Sequence, residues 1–204
     1  MTKNLIGSLL LLGLSTGAAY ASAGHWTDGS IEVTLNNETL SASYERPFIE
    51  GSNLNWKVGA LHTDTFEGRS SHSAQMTYLG FQAIETDHSN YRTGLGLRLA
   101  SYKLNGSNKE KSNVSGAGLA FGGEYYHVVP SYPRISLGLD AWASPKVTSL
   151  GRTRSFLKAS VRASYRVING GDVFIGYRSI QVNHEEGFDG TLEEGLYIGM
   201  RLKL

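Results

Sequence analysis

The chain has 204 residues, with 25 glycines, four prolines, no cysteine and a formal net charge of +1. That length suits one domain of ordinary size; the lack of cysteine excludes a disulfide scaffold, and the lack of a basic surplus gives nothing that points to nucleic acid. Stability must therefore come from a sheet, a core or a bilayer.

In chain order, the first element is "MTKNLIGSLLLLGLSTGAAYASAG". One lysine precedes an apolar stretch from Leu5 to Leu14, and small residues follow, with Ala-Tyr-Ala at 19–21 and Ala-Ser-Ala at 21–23. This is the order of a secretory signal peptide. An uncleaved anchor is the competing reading, but a spanning helix needs about 20 apolar residues. Residues 1–23 are expected to be removed, with the mature chain starting at Ser22 or Gly24, and residues 24–204 are expected to form a single barrel domain. No later stretch is long and apolar enough for a membrane helix.

Ten strands are then predicted, at 29–35, 38–46, 54–63, 73–84, 91–104, 113–128, 134–144, 155–168, 171–183 and 193–204. From Asp64 onward the connections alternate in length. Thr65–His72, Asn105–Ser112, Pro145–Arg154 and His184–Leu192 are long, whereas Glu85–Asn90, Val129–Pro133 and Asn169–Gly170 are shorter. Long outer loops and short periplasmic turns are the rhythm of a bacterial outer-membrane barrel, which also needs an even number of strands. The first hairpin, at Asn36-Asn37, is short on the outer side.

The two faces of each strand decide which kind of barrel this is. In "FLKASVRASYRV", from Phe156 to Val167, one parity carries Lys158, Ser160, Arg162, Ser164 and Arg166, and the other Leu157, Ala159, Val161, Ala163, Tyr165 and Val167. Period-two alternation marks a strand with unlike faces. Elsewhere the apolar parity gives Leu95, Leu97 and Leu99, then Ile135, Leu137 and Leu139, then Leu196 to Leu204. The opposite parity carries many glycines, such as Gly94, Gly96, Gly118 and Gly122. Glycine weakens an ordinary strand, but a narrow lumen crowded by arginine needs small residues. The faces therefore point to a polar inside and an apolar outside: an all-β, closed antiparallel transmembrane β-barrel of about ten strands, with eight possible.

Tyr44, Phe81, Tyr125 and Tyr165 lie on the apolar parity near the periplasmic ends of four strands, as an aromatic girdle at a bilayer interface would. The inward parity carries Lys57, Arg92, Arg98, Lys158, Arg162, Arg166, Arg178, Arg201 and Lys203 against fewer acids, namely Glu45, Glu124 and Asp140. Buried charge has to be paired, so a plug of ion pairs is expected, with a narrow anion-preferring pore as the competing role. Arg98, Arg162 and Arg178 are expected to share the middle of the lumen with Asp140, with water or an anion completing the set. Arg201 and Lys203 are expected at the solvated periplasmic rim. The last strand should pair with the first and remove both sheet edges. It also resembles the terminal signal read by the barrel-assembly machinery, although that signal usually ends in Phe and this chain ends in Leu204.

The segments "GGEYYHVVP", "FLKASVRASYRV", "VFIGYRSIQV" and "LYIGMRLKL" resemble the YfaZ family of small outer-membrane proteins, best from about Gly122 to Leu204. The resemblance implies a signal peptide, an outer-membrane barrel and a Gram-negative source, and brings no catalytic residues. The partners it implies are outer-membrane lipid and lipopolysaccharide, with the assembly machinery during insertion. No cofactor and no metal site are expected, and the oligomeric state is left open.

Two alternatives stay open. A lipid-modifying barrel enzyme would need Ser, His and a carboxylate in mutual reach. "ETDHSNY" at 85–91 sets Asp87, His88 and Ser89 side by side, but neighbours in an extended segment point to opposite sides, and the segment suits a polar turn. His72 and His184 fall in outer loops near Glu67, Glu185 and Glu186, where solvation is the simpler expectation. A soluble, lipocalin-like periplasmic barrel would invert the faces and bind an apolar ligand. The segment Val182–Glu194, rich in acids, is expected to be an exposed outer loop.

Overall fold

The computed structural model describes residues 29–64, 73–86, 90–105, 114–151, 153–184 and 189–204. The expected signal peptide, His72, the Asp87-His88-Ser89 cluster, Glu67, Glu185, Glu186 and the side chain of His184 lie outside the described residues.

The strands are β1 (Ser30–Leu35), β2 (Thr39–Pro47), β3 (Leu54–Thr63), β4 (Ser73–Thr86), β5 (Tyr91–Asn105), β6 (Val114–Val128), β7 (Ile135–Ser144), β8 (Ser149–Leu150), β9 (Thr153–Ile168), β10 (Gly171–His184) and β11 (Asp189–Lys203). The two-residue β8 pairs with β6 beyond the point where the β6–β7 ladder stops. The strands β7 and β8 thus share one stave, and the wall has ten. β11 pairs antiparallel with β1 and β5 pairs with β6, so the main ring closes, and among the described residues β8 is paired on one side only. This fixes the strand number at ten rather than eight.

The ladder also fixes the stagger. From Leu35 one path runs through Leu40, His62, Gln75 and Lys103 to Ser115 in β6. The opposite path runs through Ile198, Ile175, Ala163 and Leu137 to His127 of the same strand. The two arrivals are twelve residues apart, and closing a barrel with such a shear tilts its strands by about 40°. One end carries short connections. There Asn169-Gly170, with Gly170 at φ 82°, makes the two-residue β9–β10 turn, the turn an Asn-Gly pair favours. At the other end, the Asn36 side-chain oxygen accepts from the backbone N–H of Glu38 at 2.8 Å and of Thr39, which holds the first hairpin short.

The strand boundaries shift by a residue or two from the sequence expectation, β8 lies within the expected loop Pro145–Arg154, and the largest difference is in β11. β11 begins at Asp189 rather than 193, so Thr191 to Glu194 belong to a strand and not to an exposed loop. A bulge is the cause: Ile180 faces Glu193, Gln181 faces Thr191, and the intervening Leu192 is extra. Leu192 and Glu193 are consecutive and both buried. A bulge breaks the alternation on which strand reading depends.

The interior is not uniformly polar, which corrects the expected lumen. At the long-loop end it is filled by Leu61, Met76, Tyr102, Leu104, Phe156, Ile180, Val182 and Leu192, all buried in one cluster. The exposed outward residues at that end are mostly polar, among them His62, Gln75, Thr77, Ser101, Lys103, Gln181 and Asn183, with Leu150 and Leu157 exposed beside them. Toward the short-turn end both faces exchange character. Val58, Leu79, Phe81, Leu95, Leu97, Leu99, Leu137, Leu139, Val161, Ile175 and Ile198 point out, and the charged residues point in.

The inward glycines face large side chains across the ladder. Gly59 is opposite Tyr78, Gly116 opposite Tyr102, Gly138 opposite Tyr126, Gly176 opposite Tyr197 and Gly199 opposite Phe174. A Cβ at Gly59 would stand 2.4 Å from the Tyr78 ring, and one at Gly199 would stand 2.5 Å from that of Phe174. The expectation that arginines take this space is corrected: it goes chiefly to aromatic rings lying flat on the inner wall, in the small-against-large filling that narrow barrels use.

Candidate functional site

The charged half of the lumen is built by strand alternation alone: each inward position contributes a side chain at a height set by the register. The hub is Glu124, on β6. Its Oε1 accepts from Lys57 Nζ at 2.7 Å and from Arg98 Nη2 at 2.6 Å. Glu45, on β2, accepts from Arg92 and, at 2.8 Å, from Asn55 Nδ2. Asp140, on β7, lies 2.7 Å from Lys158 Nζ and 3.5 Å from Arg98 Nη1, and accepts from the Trp142 indole at 2.6 Å. These three carboxylates and four cations form one connected cluster.

Two further groups stand beside it. Glu32, on β1, takes Arg162 Nη1 at 2.6 Å and Arg201 Nη2 at 2.7 Å. Glu193, on β11, takes Arg178 Nη2 at 2.8 Å and Asn36 Nδ2 at 3.0 Å. The guanidinium groups also lie on the inner aromatics. Arg98 sits 3.6 Å from the Trp142 ring centroid, Arg162 is 4.6 Å from those of both Tyr126 and Phe174, and Arg178 is 4.7 Å from that of Tyr197. A cation over a ring face is held by the ring quadrupole while its edges remain free to donate.

The sequence placed Arg98, Glu124, Asp140, Lys158, Arg162 and Arg178 on the inner face, and all six stand there. The pairing differs from the expectation. Arg98, Arg162 and Arg178 do not share one carboxylate: they bind different acids, and Glu32 and Glu193 supply two of them. Glu32 was missed although its neighbours Ile31 and Val33 mark it as inward; Glu193 was missed although it opens the predicted strand 193–204 on the same inward parity as Arg201. Arg166 lies apart from the cluster, over a third exposed, 3.7 Å from Asp172 near the short turn. Arg201 is buried on Glu32 and Tyr126 rather than solvated at the rim.

The aromatics Tyr44, Phe81, Tyr125 and Tyr165 all point outward on the short-turn half. Tyr44 packs edge-on against Trp56 at 5.2 Å, Phe81 against Phe48 at 5.8 Å, and Tyr125 stacks on Tyr91 at 6.5 Å. Trp56, Phe48 and Tyr91 thus extend the set that the sequence singled out.

A cavity of about 40 Å³ lies between the charged cluster and the apolar fill, lined by Lys57, Tyr78, Tyr126, Arg162, Arg178 and Tyr197 among others. At roughly 10–15 Å³ for each water it holds about three. Among the described residues there is no group of three or more His, Asp or Glu that could hold a metal, and no helix long and apolar enough to cross a membrane.

The arrangement can be set beside known proteins. A family model described as "YfaZ precursor" matches residues 81–204, more than half of the chain. No curated protein matches the sequence. Among solved structures, the chain is similar to a protein from a study of the in-meso crystallization of membrane proteins, at 15% identity and TM-score 0.41, over 87% of this chain and 83% of that one. It is also similar to the outer membrane channel DcaP of Acinetobacter baumannii, at 10% identity and TM-score 0.40, over 91% of this chain and 56% of the channel. The KdgM porin matches at 10% identity and TM-score 0.38, over 87% of this chain and 99% of that one.

Proposed function

Because the chain belongs to the YfaZ family and its barrel turns leucine, valine and isoleucine outward around buried ion pairs, we propose that it is an integral outer-membrane barrel with a closed lumen, exported through a cleaved signal peptide. It serves a structural role or passes at most a small, anion-preferring current, and it has no catalytic role. The observation that carries the reading is the outward apolar belt. Monomeric soluble proteins rarely expose a continuous apolar patch of more than a few hundred Å², and here the belt runs around every side of the barrel. A lipid bilayer is the surface that fits it.

The belt thins toward the long-loop end, where the outward face is mostly polar. The barrel therefore crosses the bilayer with its short-turn part, and the long-loop part stands in water as a cuff with its own dry core. The aromatics around Tyr44, Phe81, Tyr125 and Tyr165 mark the opposite interface. The soluble, lipocalin-like alternative requires apolar side chains inside throughout, a condition met only in the cuff.

Cell fractionation with a heat-modifiability gel tests this reading. The chain should partition with the outer membrane and migrate faster when unheated. In planar bilayers the purified protein should show little or no conductance, and Asp140→Asn should raise the anion preference of whatever current flows. A soluble chain with no heat shift, or a large cation-selective pore, would overturn it.

A further inference from the structure

The ion pairs of the lumen do not balance. Among the described residues, leaving aside the Arg166–Asp172 pair and Lys203 beside the short turn, the inward cations are Lys57, Arg92, Arg98, Lys158, Arg162, Arg178 and Arg201, against the inward acids Glu32, Glu45, Glu124, Asp140 and Glu193. Seven against five leaves two positive charges in excess. Isolated buried charge is costly in a low-dielectric interior.

Two of these cations line the cavity and are incompletely satisfied. Arg162 and Arg178 are each only 7% exposed, and the Nε–H of each is buried with no acceptor in the protein. Arg162 Nη1 is engaged on Glu32, and the two Nη atoms of Arg178 on Glu193, Thr34 and, at 3.3 Å, Ser41. Ser41, Ser43 and Ser160 add hydroxyl-bearing residues to the same wall, whose charged lining is Lys57, Lys158, Arg162 and Arg178 against Glu32, Glu124 and Asp140, one positive charge in excess. Excess charge, two orphan charged donors and space for about three waters thus coincide at one place.

We propose that this cavity is a binding site for a small monovalent inorganic anion of halide size, with one or two waters beside it, held between Arg162 and Arg178. The size of the cavity excludes larger organic anions. The inference rests on the closed-lumen reading above, but it needs only the folded barrel and no membrane. The anion is a structural ligand: it offsets the charge that the five acids leave uncovered and joins β9 and β10 to the serines of β2. Arg162 and Arg178 are its ligands. Ser41 both lines the cavity and bonds Arg178, so it is the position where a fixed carboxylate can replace the anion.

The test uses the full mature chain, folded in detergent, at constant ionic strength in sodium chloride, bromide or gluconate. The unfolding midpoint should rise by a few degrees in chloride and bromide, saturate with concentration, and stay unchanged in gluconate. Ser41→Asp should raise the midpoint in gluconate to the chloride value and abolish the halide response. Crystals grown in bromide should show an anomalous peak in the cavity, which decides the matter if the variant does not fold. Identical midpoints in chloride and gluconate for a heat-modifiable barrel, or a cavity without bromide, would overturn the proposal. Failure of the membrane reading would appear separately, as a chain in the soluble fraction that migrates alike heated and unheated.

Discussion

Strand β5 contains two different proteins end to end. From Tyr91 to Leu99 its outward face is Tyr, Thr, Leu, Leu, Leu and its inward face is Arg92, Gly94, Gly96, Arg98; from Ala100 to Leu104 the inward face is Ala, Tyr, Leu and the outward face is Ser101 and Lys103. β3 exchanges faces between Ala60 and Leu61, β4 between Tyr78 and Leu79, and β10 between Tyr177 and Ile180. On the proposed reading, one closed sheet meets two solvents. Where the surroundings are lipid, charge has to be inside and matched by partners; where they are water, the ordinary apolar core returns. The inward stabilisation changes accordingly, from ion pairs in the lower part to side-chain packing in the upper part.

Substitutions in the two regions should therefore fail for different reasons. The largest effect is expected at Glu124→Gln, which leaves Lys57 and Arg98 without their shared carboxylate. Removing one partner of a buried pair costs about 3–5 kcal/mol, read from urea unfolding in lipid vesicles; a loss below about 1 kcal/mol would mean that the lower lumen is wet. In the cuff, Ile180→Ala should cost about 2–5 kcal/mol through the cavity it opens, measured in the same assay, and adding salt should leave that loss unchanged.

The outside of β5 locates the boundary more finely. Leu97→Arg should cost about 2–4 kcal/mol, the penalty for charge on a lipid face near the midplane, whereas Ser101→Arg, four residues along the same face, should cost only about 0–1 kcal/mol. Folding yield into vesicles, followed by the heat shift of the band, separates the two. Equal losses would remove the boundary drawn between them. Gly59→Ala should fall between these two, at about 1–3 kcal/mol, as the Tyr78 ring is pushed from the wall; Gly59→Ala with Tyr78→Ala should recover part of it.

Much of the wall was legible in the sequence because period-two alternation survives in nearly every strand, and the Asn-Gly turn and glycine-rich inner parity carry their own physical reasons. The exchange of faces was not read, although it is written in "LGLRLASYKL", where the apolar parity passes from Leu95, Leu97 and Leu99 to Ala100, Tyr102 and Leu104. A reading that assigns one face to a whole strand cannot register a change of solvent halfway along it. The bulge at Leu192 shifts parity by one and hid the residues of β11 before it, whereas Glu193 lies past it on the parity of Arg201. The ion pairs themselves lie between strands far apart in sequence, such as Arg162 and Glu32, and only the twelve-residue stagger brings them level.

The change of solvent along the barrel can be measured directly. Single spin labels at Leu95, Leu97, Leu99, Ser101 and Lys103, in the barrel reconstituted in lipid vesicles, report collisions with oxygen, which concentrates in lipid, and with a water-soluble nickel chelate. Oxygen should dominate at 95, 97 and 99, and nickel at 101 and 103, with the crossover between Leu99 and Ser101. Nickel access at all five positions, or lipid contact continuing through Lys103, would contradict a barrel that meets two solvents.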